Sequence, residues 1–435
     1  MSNNDKLKLS VQENLPGFLE RRKAKDSNPL QQLREQAIAE FAKLPLPTLR
    51  DEEWKYTNVA PIQNYAFKFE ADSSVSKSDI EKFLFPEDAF INIVFVNGLY
   101  REDLSTDITP VQGLELSSLA NKPEVATGLL GSIAGLTNNY FVAMNTSFIN
   151  DGVFLRVQAK AVIEKIVNVV YVTSAQEPIV TFPRNIIHVG SSADITLCET
   201  YISTDETSVY LTNMVTEVVV EKNAVCRHYK IQRESQKSYH ISNTEIRTAR
   251  DSQYTNYNIN LGSNLTRNDI NARFSDEYST VTLKGLNVLN SDQHVDNHTL
   301  IDHTLPHCES HELYKSVLND NSRTVFNGKV IVRKDAQKTN AYQQNRTILL
   351  SENAKVDTKP QLEIFADDVK CSHGATIGQL DDEQLFYLKS RGFGPELAKA
   401  VLIYAFADDV VSTVHHDYLR GYLDTLISDK LEIKL

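Results

Sequence analysis

Hydrophobic and polar positions along the chain fall into three successive textures. In the first, Leu30, Leu33, Ala37, Ile38 and Phe41 recur at three- and four-residue spacing, which predicts an amphipathic helix ended by Pro45 and Pro47. Further on, Ile91, Ile93 and Phe95 alternate in the manner of a strand, and Asn97-Gly98 is a hairpin turn signal. From about Tyr140 to Thr376 the chain becomes a series of short segments rich in Val, Ile, Thr and Tyr, separated by small polar corners. Three corners look alike: Glu221-Lys222-Asn223-Ala224, Arg333-Lys334-Asp335-Ala336 and Ser351-Glu352-Asn353-Ala354. Each places Asn or Asp before Ala, where a tight bend calls for a positive φ or a side chain that bonds its own backbone. Successive corners are about 14 and 18 residues apart, so they recur roughly every 32 residues. Repeated short strands without crossover helices predict a mainly β solenoid, a parallel β-helix of stacked coils. An antiparallel sandwich or barrel is the alternative.

The tail is helical again. Asp381 or Asp382 can cap a segment running through Ser390, Gly392 and Gly394 interrupt it, and Pro395 restarts it. A last helix carries Leu419, Tyr422, Leu423, Leu426 and Ile427 on one stripe. Leu385, Phe386, Tyr387 and Leu388 differ, being apolar on more than one side of their helix. Either that helix sits deep in its own domain or its second face meets another protein. These textures divide the chain into 1–135, mainly helical with a small strand element, 136–378, the coil core, and 379–435, a helical end domain.

Composition narrows the function classes. A chain of 435 residues with 41% hydrophobic content can bury a substantial core. Its 45 Lys and Arg against 57 Asp and Glu give a net charge of -12, the wrong sign for a protein that lives on nucleic acid or anionic lipid. The opening Met1-Ser2-Asn3-Asn4-Asp5-Lys6 has no apolar signal core, and no stretch approaches a membrane-spanning length, which together predict a cytoplasmic protein. The four cysteines, 198, 226, 308 and 371, are dispersed, which argues against a disulfide framework.

The chemistry concentrates in Cys371-Ser372-His373-Gly374-Ala375-Thr376, just after the acidic Glu363 to Asp368 stretch. A thiolate and an imidazole two positions apart point the same way from a strand, so Cys371 and His373 can share one metal or one sulfide-bridged centre. The alternative is a buried small thiol beside a satisfied histidine. A second constellation is His294, His298, His303, His307, Cys308 and His311, several of them four apart. On a helix these would line up for a metal, but their surroundings read as strand and corner, where they would scatter into polar ladders. No phosphate-binding glycine loop is present: Gly328-Lys329-Val330 has Arg323 where the first glycine belongs, and Gly392-Phe393-Gly394 lacks the third. His311-Glu312 opens like a zinc-protease helix, yet Lys315 stands where the second histidine should be. No Gly-x-Ser-x-Gly elbow occurs. A nucleotide is therefore not expected on this chain, and any ATP-driven step belongs to another one.

Three runs carry a resemblance to a known family: Ala336-Gln337-Lys338-Thr339-Asn340-Ala341-Tyr342-Gln343-Gln344-Asn345, Asp357-Thr358-Lys359-Pro360-Gln361-Leu362-Glu363-Ile364, and Ala366 through Leu380 around the Cys-Ser-His motif. They resemble the carboxy-terminal signature of the SufB/SufD family of iron–sulfur cluster assembly scaffolds. The likeness runs from Arg50-Asp51-Glu52-Glu53-Trp54-Lys55-Tyr56 to Leu385-Phe386-Tyr387-Leu388-Lys389-Ser390-Arg391-Gly392 and is weakest before residue 50 and between about 70 and 180. Within that resemblance, the SufB subunit is usually longer and has additional cysteines in its first part, and the absence of any cysteine before Cys198 favours the SufD branch over the SufB one. The resemblance implies a right-handed parallel β-helix between amino- and carboxy-terminal helical regions. It implies a heterodimer with SufB through the β-helices and a SufC ATPase at the end domain, which makes Leu385, Phe386, Tyr387 and Leu388 the docking face. It further implies a cluster-building site at the heterodimer seam, with His373 the first ligand and Cys371 the second for a transient iron–sulfur cluster or iron shared with the partner. An uncovered solenoid edge often pairs, so a homodimer of this chain when SufB is missing is left open by the sequence. On this reading the chain is a scaffold and not an enzyme. The competing expectations are a metalloenzyme built on the His294 to His311 cluster and a solenoid carbohydrate-acting protein using Asp367 and Asp368. The single tryptophan, Trp54, reads as an aromatic pin for the amino-terminal region.

Overall fold

Short alternating segments of the central sequence resolve into a parallel β-solenoid of about 8 turns, with helices at both chain ends. The structure, a computed structural model, describes residues 6–70, 74–106, 111–126 and 128–431. Met1 to Asp5, read above for a leader, lie outside these. From Arg184–Val189 onward, successive strands alternate between two ten-stranded sheets. In the later coils one sheet receives Gln253–Asn260, Thr280–Leu289, Glu309–Leu318, Asn340–Leu349 and Lys370–Gly378. The other receives Leu265–Phe274, His294–His303, Arg323–Val332 and Lys355–Ile364. Each strand pairs in parallel with the equivalent strand one coil earlier, about 30 residues back. Among the described residues, antiparallel pairing is confined to Phe90–Val96 with Leu99–Tyr100 and Leu114–Ser118 with Val153–Val157, so the sandwich alternative is overturned. The first of these is the hairpin expected at Asn97-Gly98, whose φ values of 51° and 80° suit the turn.

The look-alike corners owe their likeness to alanine rather than to backbone handedness. Ala224, Ala336 and Ala354 are all buried, the small side chain filling the inside of the bend. Asn223 has the expected positive φ of 57°, but Asp335 and Asn353 do not take one; in the second corner Lys338 does, at 62°. The two later corners therefore depart from expectation because a buried methyl group, not a left-handed residue, is their shared requirement.

Inside the solenoid, each strand sends alternate side chains into a lumen filled by Ile, Val, Leu and aromatic residues, with aligned polar rows among them. The outer faces are covered differently. Helices Lys6–Arg22, Asn28–Phe41 and Tyr140–Ser147 cover the early coils through Leu7, Val11, Phe18 and Phe141 against Leu211, Tyr239, Ile241 and Leu265. Buried Arg34 ties the second of these helices to Asp26 and to the carbonyls of Ser147 and Ile149, at 2.9 and 3.0 Å. On the opposite side, the stripe Leu419, Leu423, Leu426 and Ile427 of helix Asp417–Lys430 packs with Val410 and Val411 of helix Pro395–Val411 against Tyr229, Tyr257 and Leu286. Tyr257 Oη donates to the Thr413 carbonyl at 2.6 Å, and Lys315 Nζ reaches the Phe406 carbonyl at 2.8 Å and the Asp409 carboxylate.

On the same sheet as the amino-terminal covering, the segment around Trp54 continues across later coils and straps several of them together. Arg267 lies 4.3 Å over the Trp54 ring and donates to the Glu53 carbonyl at 2.8 Å. Glu53 pairs with His298 at 3.5 Å and accepts from Asn327 at 3.4 Å, while Glu52 pairs with Lys359 in the last coil. Thr57 bonds Asp296 and lies 3.0 Å from His294. Trp54 is thus a pin, fastened to the solenoid itself.

Candidate functional site

Strand Lys370–Gly378 ends its sheet: it pairs on one side with Asn340–Leu349, and its other edge has no strand among the described residues. Cys371 sits in register with Ala341 and His373 with Gln343, both buried, so these two side chains share the face that looks into the lumen. No later coil covers that face. Cys371 is half-buried against the core, and burial pushes its thiol up from the ordinary value, so at neutral pH it is protonated until a metal or a base takes the proton. His373 is exposed. The spacing argument holds in geometry: both side chains point the same way at the open end of the coil stack. The last two coils also expose Ile364, Phe365 and Ile377, with Phe365 at 60%, and Tyr342 on their outer face, an apolar rim beside an unpaired strand edge.

Behind His373 lies a row that the sequence reading did not single out. Glu312, Gln343 and His373 occupy the same register position on three successive strands. Gln343 donates from Nε2 to Glu312, whose carboxyl burial raises to about 7. The available signal was the recurrence of lumen-facing polar residues at the coil spacing, visible only once register is known. Deeper in the lumen, Lys230 Nζ bonds His240 Nε2 at 2.8 Å, Ser242 at 2.7 Å and Asn268 at 2.7 Å, and burial lowers it to about 8. The other thiols are sealed: burial raises Cys198 and Cys226 to about 12.

The His294 to His311 constellation does not converge. His294 and His298 face outward beneath the Trp54 strap, whereas His303 points inward, lies tilted against Phe274 with ring centroids 4.4 Å apart and bonds Ser310 at 2.9 Å. His307 sits in a corner against Tyr278, and His311 stacks on Tyr342 on the other sheet. Cys308 is buried beside Ser279. Four-residue spacing gathers side chains on a helix; on strands joined by a corner it sends them to opposite sheets. Among the described residues no three His, Cys, Asp or Glu side chains are grouped to hold a metal, and the metalloenzyme expectation loses its site. Burial accordingly lowers His303 to about 3 and His294 to about 4, leaving both neutral. Nor do Asp367 and Asp368 form a paired-acid face: they lie in a corner, where Asp368 bonds the Lys338 side chain.

A cleft of about 530 Å³ lies elsewhere, under the strap, lined by Glu53, Trp54, Asn243, Arg267, Asp269 and Lys329 among others. Its Arg267 and Glu53 charges are already engaged with Asp269, Asp296 and His298. In the end domain, Asp381 caps helix Asp382–Ser390 by accepting from the Glu383 and Gln384 amides. Leu385 is buried, but Phe386 and Tyr387 are 74% and 57% exposed, so the helix is not sunk in its own domain. No helix among the described residues is long and apolar enough to cross a membrane.

Comparison with known proteins agrees with this architecture. The family model for the SUF system FeS cluster assembly SufBD core domain matches residues 171–406, and that for the SufBD protein N-terminal region matches residues 18–169. The chain is 33% identical over 396 residues to an iron–sulfur cluster assembly SufBD family protein of Synechocystis sp., covering 88% of this chain and 87% of that protein. It is 29% identical over 400 residues to the iron–sulfur cluster assembly protein SufD of Escherichia coli, covering 91% and 92%. With SufD of Bacillus subtilis the identity is 28% over 448 aligned positions, covering 98% and 99%.

Proposed function

From the premise that the chain belongs to the SufBD family of SUF-system iron–sulfur cluster assembly proteins, we propose that it is a non-catalytic SufD-type scaffold subunit whose open last coil presents His373 and Cys371 to a nascent cluster. The observation that carries this reading is their shared face at an uncovered solenoid end, bordered by an unpaired strand edge and an apolar rim. Two soft ligands make half a coordination set. The remainder comes from a partner solenoid, SufB, seated on the same edge, so the cluster is cargo held at a seam and released when the seam opens. His373 is the first ligand, because its ring is exposed at the open end and an imidazole nitrogen is a good donor to iron. Cys371 is the second, since its half-buried thiol must be deprotonated by the incoming metal. ATP hydrolysis is supplied by SufC, docked on the exposed Phe386 and Tyr387 with the half-buried Leu388 beside them, while the buried Leu385, expected on that face, instead holds the helix to its own domain; the solenoid transmits SufC's movement to the seam through helices Pro395–Val411 and Asp417–Lys430.

The test is anaerobic co-purification of the chain with SufB and SufC, comparing wild type with His373→Ala and Cys371→Ala. The expected result is loss of cluster absorbance in His373→Ala and a smaller loss in Cys371→Ala, with the complex still assembled. Cluster absorbance unchanged in both variants refutes the site.

A further inference from the structure

We infer that Gln343, anchored by Glu312, is a positioning residue for His373: its Oε1 accepts the ring N–H of His373 and so fixes which imidazole nitrogen faces the open end. This rests on the reading of His373 as a ligand and adds the group that aims it.

Four observations converge on Gln343. It is in register with His373 on the next strand, one strand spacing of about 4.8 Å away, and its side chain points into the same lumen. It is 1% exposed and donates from Nε2 to Glu312, itself 3% exposed; above about pH 7, where Glu312 is ionised and can only accept, the carboxylate fixes the orientation of the amide. With Nε2 committed to the coil below, Oε1 is turned away from Glu312, and it is buried without a hydrogen-bond partner. Finally, the opposite wall is cut away for this side chain: a Cβ on Gly328 would lie 2.2 Å from Gln343 Nε2 and 2.8 Å from its Cδ. Gly328 therefore keeps the amide extended across the lumen instead of folding against its own strand.

A buried carbonyl oxygen with no partner is costly, and such groups are normally satisfied. The His373 ring can supply the donor. Once one ring nitrogen donates to Oε1, the other carries the lone pair and faces outward, as a metal ligand requires, and the hydrogen bond makes that nitrogen more basic. Glu312 holds Gln343 and Gln343 holds His373, a relay of orientation along three coils. Glu312 does not touch the cluster.

The experiment uses the full chain labelled with 15N-histidine, the His373 ring signals being assigned by their disappearance in His373→Ala. In wild type, long-range proton–nitrogen correlation is expected to show one dominant neutral tautomer for His373. Gln343→Leu, which keeps the bulk and removes the acceptor, is expected to give the tautomer mixture of a solvated imidazole, and cluster absorbance in the assembled complex falls about 10-fold or more, the usual cost of losing an outer hydrogen-bond partner. Should Gln343→Leu not fold, Glu312→Leu provides the second variant, since freeing the amide also scrambles the tautomer. Identical tautomer populations in wild type and the folded variants overturn the inference. If His373→Ala forms clusters normally, the ligand reading fails by itself, whatever the tautomer data show. If His373→Ala abolishes the cluster and Gln343→Leu retains it at wild-type level, the ligand reading stands and the positioning role fails.

Discussion

Replacing Arg267 by Met tests whether the Trp54 strap is held by one buried ion pair. The guanidinium is 2% exposed at the side chain and bonds Asp296, 1% exposed, at 2.7 Å, besides reaching Asp269, the Glu53 carbonyl and the Trp54 face. Met conserves much of the volume, so the cost is dominated by the carboxylate left behind. Removing one member of a buried pair costs about 3–5 kcal/mol. Loss of the cation–π contact and of the bond to the carbonyl adds roughly 1 kcal/mol. Trp54 is the single tryptophan of the chain and reports on the strap alone. With a urea slope of roughly 2 kcal/mol/M, the fluorescence midpoint should fall by about 2 M, while circular dichroism of the solenoid falls less. Burial by itself would raise the Asp296 carboxyl; Arg267, His298 and Thr57 outweigh it and hold it well below the carboxylate range. Without Arg267 the largest opposing contribution is lost and the carboxyl moves up, so the deficit is largest near neutrality and shrinks in acid as Asp296 takes a proton. Adding Asp296→Asn should restore at least half of the loss. A Trp54 midpoint unchanged in Arg267→Met, or a double variant no better than the single one, would show that the strap is held by something else.

Two further outcomes are expected. The bond to His298 holds Glu53 at about 2, and this contribution is present above about 4.5 and lost as the pH falls through the folded value; burial opposes the charge on His298 but Asp296 and Glu53 prevail and raise it, a contribution present below about 6.5 and lost as the pH rises. The Trp54 midpoint should therefore peak between about pH 4.5 and 6.5, and His298→Gln should flatten its alkaline flank; a wild-type midpoint independent of pH would contradict this. Charge substitution of the exposed pair, Phe386→Asp with Tyr387→Asp, should leave the melting curve within about 0.5 kcal/mol of wild type and abolish SufC co-purification, and retained SufC binding would rule out that docking face.

The fold was legible wherever periodicity and chemistry agreed. The Leu30 to Phe41 stripe, the Asn97-Gly98 turn, the Asp381 cap and the Leu419 to Ile427 stripe each appear where local spacing puts them, because each is decided within a few residues. Corners were legible as corners but not in conformation, since Ala336 and Ala354 mark a demand for small volume that says nothing about φ at the preceding residue. Cys371 and His373 share a face as a two-residue step on a strand requires. What stayed hidden depends on register between coils. Nothing local to Gln343 reveals that it lies between Glu312 and His373, and nothing local to His298 and His303 reveals that one meets Glu53 while the other faces Ser310 inside. The Trp54 motif was visible as an aromatic anchor, but its target, Arg267, lies more than two hundred residues away.

That separation sets an order of events during synthesis. Glu52 and Lys359 are 307 residues apart, yet they close the same strap. Each coil can be templated by the one before it as it leaves the ribosome, so the solenoid can grow vectorially. The amino-terminal belt cannot close fully until almost the whole stack has been translated, and a nascent chain halted before residue 267 carries Trp54 with neither its cation nor its buckle. The buried part of the fastening arrives with Arg267 and Asp296, in the middle of the stack, and the last coil adds only the exposed Glu52–Lys359 pair, so the belt is closed in stages that follow the order of translation.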